Sequence, residues 1–569
     1  MSDFLKIVSS QYKHLPERNA EFIDKRVISG GSTLKNRPFS FQALYRSNTD
    51  SSCEPVSISA ESELPIEAWR VDSVAVEHTR AGSEEDGYES TLPGLYPDIL
   101  MPRPAAPEID SADTAWNRKT YLEKDTDNLL NASAFCYKSV WFTVNPDSKP
   151  LDAGKYEIKI KLTSLVNLSV IAEESITLEI IDALLPEQTA YYTNWFHVDC
   201  VCDMFGVKPY SNAFYKIFDE YIKNMTRHRQ NTLLLPAFTP PLDTAVGAER
   251  ANVQLVDIER TEEGWSFGFD KMRRFVRHAR KHGIKIFEHC HLFSQWGAKA
   301  APNIYDKDGN RIFGYDTDAS GEEYASFIRA YLIEFFKFAK AEKINKSIIF
   351  HISDEPKESQ LDSYRAAHDK VSDLLEGNPI CDAMSVLDFA KAGLVDHSIL
   401  TVNHMEGYDF ESPYKIWLYY TGGEAKTSNR KISNTAADTA VIGVHMYKYK
   451  ALGFLQWAYN FYYDRLSFGF ADPKMNVSAY KNFPGIAYLC YPINSKGKVS
   501  VVPSIREKLM GEGMDDLRAL CLLESLIGRE KTLTVCEGKL GVIDTYNIPK
   551  ADALYELREE INRLIAETI

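Results

Sequence analysis

Two adjacent carboxylates at the end of an apolar segment are the residues of this chain best suited to acid–base chemistry. Residues 348–356 read Ile-Ile-Phe-His-Ile-Ser-Asp-Glu-Pro, so an apolar run leads directly to Asp354 and Glu355 and ends at Pro356. Burial and mutual repulsion both disfavour the charged forms of neighbouring acids, so the pair is costly for stability. Acids placed at such a cost usually serve catalysis. The alternative is a structural role, in which one acid caps the helix that we predict to follow.

Short apolar strands and amphipathic helices alternate in the region that contains these acids. The predicted strands lie near 191–198, 232–235, 284–288, 347–352, 380–384, 399–403, 415–419 and 453–457. Predicted helices lie between several of them, over 212–229, 269–282, 321–341, 361–375 and 436–450. Alternation of this kind is typical of parallel βαβ units, and eight strands over about 270 residues fit a (β/α)8 TIM-like barrel.

The chain before this region has the period-two pattern of half-buried antiparallel strands. Residues 155–162, for example, alternate charged or polar with apolar side chains. We therefore predict a multidomain fold with three parts. These are an N-terminal antiparallel β-sandwich over 1–187, a catalytic (β/α)8 barrel over 188–500, and C-terminal helices packed on the barrel over 501–569.

The ends of the other predicted barrel strands carry aromatic and polar side chains that suit a sugar. The carboxyl ends of barrel strands meet at one face, where aromatic rings stack on sugar CH groups and polar groups bind hydroxyls. The candidates for substrate contact are Trp195, His197, His291, Gln295, His351, Tyr420, Trp457, Tyr459 and Asn460. Each of them alone is equally well explained as a core or supporting residue, so the prediction of a pocket depends on their convergence.

The segment from Phe350 to Pro356 resembles the catalytic strand of glycoside hydrolase family 123 and its bacterial relatives. Five more segments resemble the same family: Trp195–Cys200, Phe238–Thr244, His291–Ala298, Gly453–Phe461 and Gly511–Asp516. The resemblance covers roughly 190 to 530, and the predicted N-terminal sandwich suits the same family. It implies an exo-acting, retaining β-N-acetylgalactosaminidase that uses substrate-assisted catalysis.

The resemblance also implies a role for each acid. The 2-acetamido carbonyl of the substrate would attack the anomeric carbon and form an oxazoline or oxazolinium intermediate. Glu355 would act as general acid and then as general base, while Asp354 would hold and polarise the acetamido N–H. On an extended backbone the two side chains would point to opposite sides, and Pro356 is expected to bias Glu355 toward an extended or polyproline conformation.

Three other functions are consistent with the same residues. A metal-dependent barrel hydrolase would draw its ligands from His197, Asp199, His289, His291, His351, Asp354 and His404. A two-carboxylate retaining glycosidase acting on a 2-hydroxy sugar would need a second acid about 5–5.5 Å from Glu355, and Glu288 or Glu406 are the candidates. A non-catalytic sugar-binding protein would keep the same scaffold without the activity.

Composition argues against several further classes. A net charge of −15 disfavours nucleic acid and anionic membranes as main partners. The expected partner, a carbohydrate carrying an amino sugar, is implied by the resemblance to family 123. No apolar run reaches the ~18 residues of a membrane span, and no leader sequence is evident, so we expect a cytoplasmic protein.

Cofactors and disulfides are not expected either. The nine cysteines are odd in number and lack zinc-finger spacing, which is typical of reduced, buried thiols. No nucleotide fingerprint or phosphate loop occurs, so we expect no organic cofactor. The sequence leaves the oligomeric state open.

Overall fold

The N-terminal part of the chain forms two five-stranded sheets that share one buried core. The computed structural model of the protein describes residues 3–48, 54–80, 87–102, 130–239, 250–294, 297–384, 386–405, 408, 412–423, 426–495 and 498–569. The strands of this part are β1 (Leu5–Ser9), β2 (Gly30–Leu34), β3 (Phe39–Tyr45), β4 (Glu54–Glu61), β5 (Ile66–Val76), β6 (Gly94–Pro102), β7 (Leu130–Ala132), β8 (Lys138–Val144), β9 (Gly154–Ser164) and β10 (Val170–Ile181), with one short helix, α1 (Ala20–Asp24).

The two sheets have the orders β1-β3-β8-β5-β6 and β2-β10-β9-β4-β7, and all neighbours pair antiparallel except β10 with β2. Phe41 and Phe142 of one sheet stack with ring centroids 5.2 Å apart and share the core with Ile158 and Ile160 of the other. Alternate residues of β9 are buried, as the period-two pattern predicts. The predicted antiparallel N-terminal sheets are therefore confirmed.

Eight parallel strands follow in the region predicted to form a barrel. The strands from here to the end of the chain are β11 (Tyr191–Asn194), β12 (Thr232–Leu235), β13 (Asp257–Thr261), β14 (Gly264–Gly268), β15 (Ile286–His289), β16 (Ile304–Tyr305), β17 (Arg311–Phe313), β18 (Ile348–Ile349), β19 (Cys381–Met384), β20 (His397–Thr401), β21 (Lys415–Tyr419), β22 (Gly453–Gln456), β23 (Cys490–Ser495) and β24 (Lys498–Pro503). The pairs β13–β14, β16–β17 and β23–β24 are antiparallel, and each forms a separate two-stranded sheet.

The parallel strands form two sheets, so the predicted barrel is confirmed only as an open arrangement. One sheet has the order β11-β22-β21-β20-β19 and the other β12-β15-β18. At one boundary the Asn231 N–H donates to the Tyr192 carbonyl oxygen at 3.2 Å, and at the other Phe350 and Ile380 form an isolated parallel bridge. Strand β18 is only two residues long, and the backbone N–H groups of Ile352 and Ser353 beyond it donate to the Asp382 side chain.

The helices of this region and of the C-terminal segment are α2 (Val198–Phe205), α3 (Asn212–Arg227), α4 (Asp270–Lys281), α5 (Glu322–Ala341), α6 (Leu361–His368), α7 (Asp388–Lys391), α8 (Ala436–Ala440), α9 (Ile442–Lys448), α10 (Ile505–Ile527), α11 (Arg529–Leu540) and α12 (Ala551–Thr568). The helix predicted over 361–375 is shorter than expected, since a separate 3-10 turn occupies Ser372–Leu374. Within the described ranges, no helix is both long and apolar enough to cross a membrane.

Helix α10 connects the N-terminal sheets to the parallel strands through buried ion pairs. Arg506 and Asp98 are both fully buried, and two guanidinium N–H groups donate to the carboxylate at 2.9 Å each. The same guanidinium donates to the carbonyl oxygens of Gly485 at 2.6 Å and Tyr488 at 2.9 Å. Because the pair is nearly inaccessible to water and its hydrogen bonds are satisfied, it fixes β6 against the segment that follows β22.

The segment Gly511–Asp516 lies inside α10 and has a structural task. Asp516 pairs with Arg37 of the N-terminal part and with Arg558 of α12. Gly513 lets α10 approach α8 and α9, because a Cβ atom there would lie 2.5 Å from the Ala440 carbonyl oxygen. This segment therefore joins three parts of the fold and does not reach the acid pair.

We expect Gly513→Ala to destabilise the protein by about 1–3 kcal/mol, because the added methyl group overlaps backbone that cannot move freely. Gly538→Ala is the matched control. Gly538 also lies in a helix interior, but nothing lies within 4 Å of its Cβ position. Alanine there is expected to be neutral or to stabilise by up to about 1 kcal/mol. Unfolding midpoints in urea measure both effects, and equal midpoints for the two variants would contradict the close-packing argument.

Candidate active site

The segment between β18 and Glu355 is held by the neighbouring strand β19. Asp382 of β19 is fully buried, and its carboxylate accepts the backbone N–H of Ile352 at 3.0 Å and of Ser353 at 3.3 Å. The Glu355 N–H donates to the Ala383 carbonyl oxygen at 3.1 Å. A buried side chain and a backbone oxygen of β19 thus fix the chain on both sides of Asp354.

The backbone at Glu355 is left-handed, with φ +43°, and this corrects the expectation of an extended conformation. A residue before proline rarely adopts this region, and a non-glycine residue with positive φ is uncommon. The hydrogen bond to Ala383 outweighs the local preference set by Pro356. The two acids therefore do not share one extended backbone. Asp354 is half-buried, whereas Glu355 is exposed.

Glu355 lies on the wall of a polar pocket of about 440 Å³. The Tyr419 hydroxyl donates to Glu355 Oε1 at 3.1 Å. The loops after β20 and β21 supply further hydroxyl, amide and imidazole groups at Thr401, Asn403, His404 and Thr421. Such a set of donors and acceptors beside a carboxylate suits the hydroxyl groups of a sugar.

A histidine shared by two carboxylates lies next to this segment. His351 Nε2 is 3.4 Å from Glu288 Oε2, and His351 Nδ1 is 3.4 Å from Asp382 Oδ1, with all three side chains at most 1% exposed. Burial alone lowers the pKa of His351, but the two carboxylates outweigh burial and raise this pKa to about 10. His351 is therefore a buried imidazolium at neutral pH, and it compensates the charge of Asp382.

Trp195 and His291 complete this buried cluster at the ends of β11 and β15. The Trp195 indole N–H donates to Glu288 Oε2 at 2.5 Å. Its ring lies edge-on to the rings of His291 and His351, with centroids 5.6 and 5.9 Å apart. Burial and the charge of His351 hold the pKa of His291 well below its usual range, so His291 is neutral. We infer that Trp195, His291 and His351 support the acid segment from within the protein.

Among the predicted contact residues that the structure describes, only Trp457, at the end of β22, is partly exposed. Trp457 is half-buried and packs against Phe461 and Tyr480, with ring centroids 5.0 and 4.9 Å away. Its carbonyl oxygen accepts a hydrogen bond from His197 Nε2 at 3.0 Å. Burial and then the nearby Arg250 lower the pKa of His197 to about 4, so this histidine is a neutral donor.

The remaining predicted contacts are buried and bonded to protein groups. Asn460 bonds to both the N–H and the carbonyl oxygen of His197, at 2.8 and 3.0 Å. The Tyr459 hydroxyl donates to Glu507 at 2.7 Å, and the Tyr420 hydroxyl donates to the Met510 sulfur at 3.3 Å. These contacts favour supporting roles over direct sugar contact. Gln295 lies outside the described residues.

Tyr419 is one of the pocket residues that sequence reasoning missed, together with Thr401 and Thr421. Alternate residues of a strand face the same side, so Tyr419 and Tyr420 point in opposite directions. Tyr420 packs edge-on against Phe454 at 4.9 Å and reaches α10, whereas Tyr419 reaches Glu355. The alternation along β21 therefore separates Tyr419 from Tyr420, but it identifies the pocket residue only when the side of the strand that faces the helices is known.

The predicted metal ligands do not converge on one site. Asp199 pairs with Arg250 at 2.6 Å, and His289 bonds to the Tyr331 hydroxyl at 2.7 Å. Across the described part of the chain, the one group of three potential ligands is His291, His351 and Asp382, with ligand atoms within 4.8 Å of one another. The oxygens of Asp382 already accept backbone N–H groups and the Tyr364 hydroxyl, so they are occupied by protein donors.

Glu288 and Glu406 are the two candidates for a second catalytic carboxylate. Glu288 is fully buried and bonded to Trp195 and His351, so it is not placed to attack a bound sugar. Glu406 lies outside the described residues. The geometry therefore gives no support to Glu288 as a nucleophile.

Comparison with known proteins relates this chain to a family of sugar-cleaving enzymes. A family model described as "Glycoside hydrolase 123, catalytic domain" matches residues 195–523. A family 123 glycoside hydrolase from Clostridium perfringens, whose structure was analysed for glycolipid glycan hydrolysis, has a TM-score of 0.72 at 14% identity, covering 99% of this chain and 98% of that one. This likeness shows that the fold is shared over nearly the whole chain.

Two further solved structures are much less similar. A β-glucuronidase from Bacteroides uniformis has a TM-score of 0.29 at 9% identity, covering 85% of this chain and 49% of that one. A β-D-glucuronidase from Dictyoglomus thermophilum has a TM-score of 0.30 at 8% identity, covering 91% and 98%. No curated protein sequence matches the chain.

We expect His351→Gln to destabilise the protein by about 3–5 kcal/mol below pH 6.5, because it leaves two buried carboxylates uncompensated. A raised histidine pKa stabilises the folded state fully below the unfolded value of about 6.5, and this contribution is lost as pH rises through about 10. The difference in unfolding free energy between His351→Gln and the wild type should therefore shrink by up to about 1.4 kcal/mol per pH unit between pH of about 6.5 and 10.

His445→Gln is the matched control for this pH dependence. His445 is also buried, but burial lowers its pKa to about 4, so it is neutral in both folded and unfolded states above pH 7. The difference in unfolding free energy between His445→Gln and the wild type, measured by chemical unfolding, is expected to stay constant between pH of about 7 and 10. A flat difference for His351→Gln as well would show that His351 is neutral.

Proposed function

Because this chain belongs to glycoside hydrolase family 123, we propose that it is an exo-acting β-N-acetylgalactosaminidase that retains the anomeric configuration by substrate-assisted catalysis. One observation carries the proposal. Within the family match, Asp354 and Glu355 follow β18, and Glu355 reaches a polar pocket where the Tyr419 hydroxyl bonds to one of its two oxygens. The other oxygen of Glu355 is then the one that exchanges a proton with the substrate.

In the first step, protonated Glu355 gives its proton to the glycosidic oxygen as the bond from this oxygen to the anomeric carbon breaks. The 2-acetamido carbonyl oxygen of the substrate forms the new bond to this carbon and produces an oxazolinium ion. In the second step, Glu355 removes a proton from a water molecule as the water oxygen bonds to the anomeric carbon. The bond from this carbon to the acetamido oxygen breaks, so the oxazolinium ring opens and the acetamido group is restored. Two inversions at one carbon give net retention.

Asp354 has the role of holding the acetamido group. Its carboxylate would accept the amide N–H and stabilise the positive charge that spreads over the group as the ring closes. Asp354 is half-buried, which strengthens this electrostatic interaction relative to open water. His351 and Asp382 act one step away, because they fix the backbone that leads to both acids.

For the sugar we propose Trp457 as the stacking surface and the polar groups of Thr401, Asn403 and His404 as hydroxyl partners. The buried side chains of Trp195, His197, His291, His351, Tyr420, Tyr459 and Asn460 would support these groups from below. The Clostridium perfringens relative acts on glycolipid glycans. We extend to this chain the general substrate class, a glycan with an amino sugar at its non-reducing end.

We further propose that the two parallel sheets act as one (β/α)8-type barrel over 188–500, flanked by a sandwich domain over 1–187 and helices over 501–569. The backbone bond from Asn231 to Tyr192 and the bridge between Phe350 and Ile380 support this, since they link the two sheets in the order that a barrel requires.

The two mechanisms available to a retaining glycosidase are separated by the group at C2. We expect the protein to cleave 4-nitrophenyl 2-acetamido-2-deoxy-β-D-galactoside and to be inactive on the β-D-galactoside, because only the first carries the internal nucleophile. Steady-state release of nitrophenol measures both reactions. Comparable rates on the two substrates would favour the two-carboxylate mechanism instead.

Glu355→Gln should lower kcat/KM by about 10²–10⁴ for an alkyl glycoside, because general acid catalysis is lost. The loss should be much smaller for a dinitrophenyl glycoside, whose leaving group needs no proton. Glu358→Gln is the control, since Glu358 lines the same pocket and is exposed like Glu355. Equal losses on both substrates would contradict the acid role of Glu355.

A further inference from the structure

A cationic groove adjoins the pocket of Glu355. It consists of two cavities of about 200 and 580 Å³ that share Arg80 and Phe483. We call it the Arg80 groove, and its charged or titratable lining residues are His78, Arg80, Lys431, Arg465 and Lys481. Its floor at Gly422 and Gly423 directly follows Thr421, which lines the pocket of Glu355. No described residue that lines it is acidic, although the chain has a net charge of −15.

Arg80, the central arginine of this groove, is held by two contacts. Its guanidinium carbon lies 4.6 Å from the centroid of the Phe483 ring, and its backbone N–H donates to His78 Nδ1 at 2.9 Å. Phe483 in turn packs directly on Gly422, where a Cβ atom would lie 2.2 Å from the ring. The layers Gly422, Phe483 and Arg80 thus present one guanidinium in a fixed position.

Three cations of the groove, Arg80, Arg465 and Lys481, form no ion pair with a carboxylate in the part of the chain that the structure describes. Like charges gathered around a cavity without a counter-charge repel one another, so this arrangement favours an anionic ligand.

We propose that the Arg80 groove binds an oxyanion, a sulfate ester or a carboxylate, on the sugar units next to the one that is cleaved. This proposal rests on the proposed glycosidase function, and it makes acidic glycans the preferred substrate class. Arginine binds sulfate and carboxylate through two parallel hydrogen bonds, and lysine adds a point charge.

The groove is tested with matched substrates and a double variant, Arg80→Gln/Lys481→Gln. The substrates are trisaccharides with the same terminal amino sugar, whose second unit is neutral, sulfated or carboxylated, and the short 4-nitrophenyl glycoside that does not extend to the groove. The wild type should prefer one or both anionic trisaccharides by about tenfold in kcat/KM, and the double variant should lose this preference. Its activity on the neutral and nitrophenyl substrates should stay within about twofold, since lost charge-assisted contacts are the only change.

Controls separate the groove from general effects of charge and folding. Lys474→Gln removes an exposed cation that does not line the groove, and it should leave the preference unchanged. Gly422→Ala displaces Phe483 without removing a charge, and it should weaken the preference. The sulfated and carboxylated substrates identify which oxyanion is recognised. Equal kcat/KM for anionic and neutral trisaccharides in the wild type would overturn the proposal.

Anion binding by the groove can be tested separately from the proposed catalysis. If the wild type does not cleave the nitrophenyl glycoside, the catalytic proposal fails, but calorimetric titration with the sulfated and carboxylated trisaccharides still tests the groove. The groove is supported if either anionic trisaccharide binds about tenfold more weakly to the double variant than to the wild type, and equally well to Lys474→Gln. Binding that the double variant leaves unchanged, or that is absent for both, overturns it.

Discussion

A buried positive charge shared by two carboxylates is the interaction on which the active region depends. His351 lies between Glu288 and Asp382, and without this proton both acids would carry uncompensated charge in the interior. Asp382 accepts two backbone N–H groups from the segment that follows β18. These bonds hold the chain between β18 and the acid pair against β19.

The left-handed backbone of Glu355 follows from the same constraint. A residue before proline enters this region only when its surroundings compensate, and here a bond to Ala383 on β19 and a bond from Tyr419 hold it. The acid is therefore anchored by backbone on one side and by a hydroxyl on the other. Such a carboxyl group needs little reorganisation when a substrate arrives, which is the condition for efficient proton transfer.

The sequence predicted the positions of the strands and of the acid pair well, since both depend on local patterns. It failed where a distant residue decides the outcome. Pro356 alone predicts an extended Glu355, but the carbonyl of Ala383 overrides it. Tyr420 and Tyr419 are indistinguishable locally, and only the packing of Tyr420 against α10 separates them. Asp382 has no local signal at all, because its partners lie thirty and twenty-nine residues before it.

The N-terminal sheets gain a role in recognition through the position of Arg80. This residue lies in the connection between β5 and β6, and Asp98 on β6 is bonded to Arg506. The same arginine binds the carbonyl oxygens of Gly485 and Tyr488, which follow Phe483 closely in the chain. One buried guanidinium therefore fixes both walls of the Arg80 groove relative to each other. A strongly acidic protein with carboxylates at its proposed reaction site would repel an anionic glycan, so a separate cationic surface would allow such a substrate to be held without neutralising the acids.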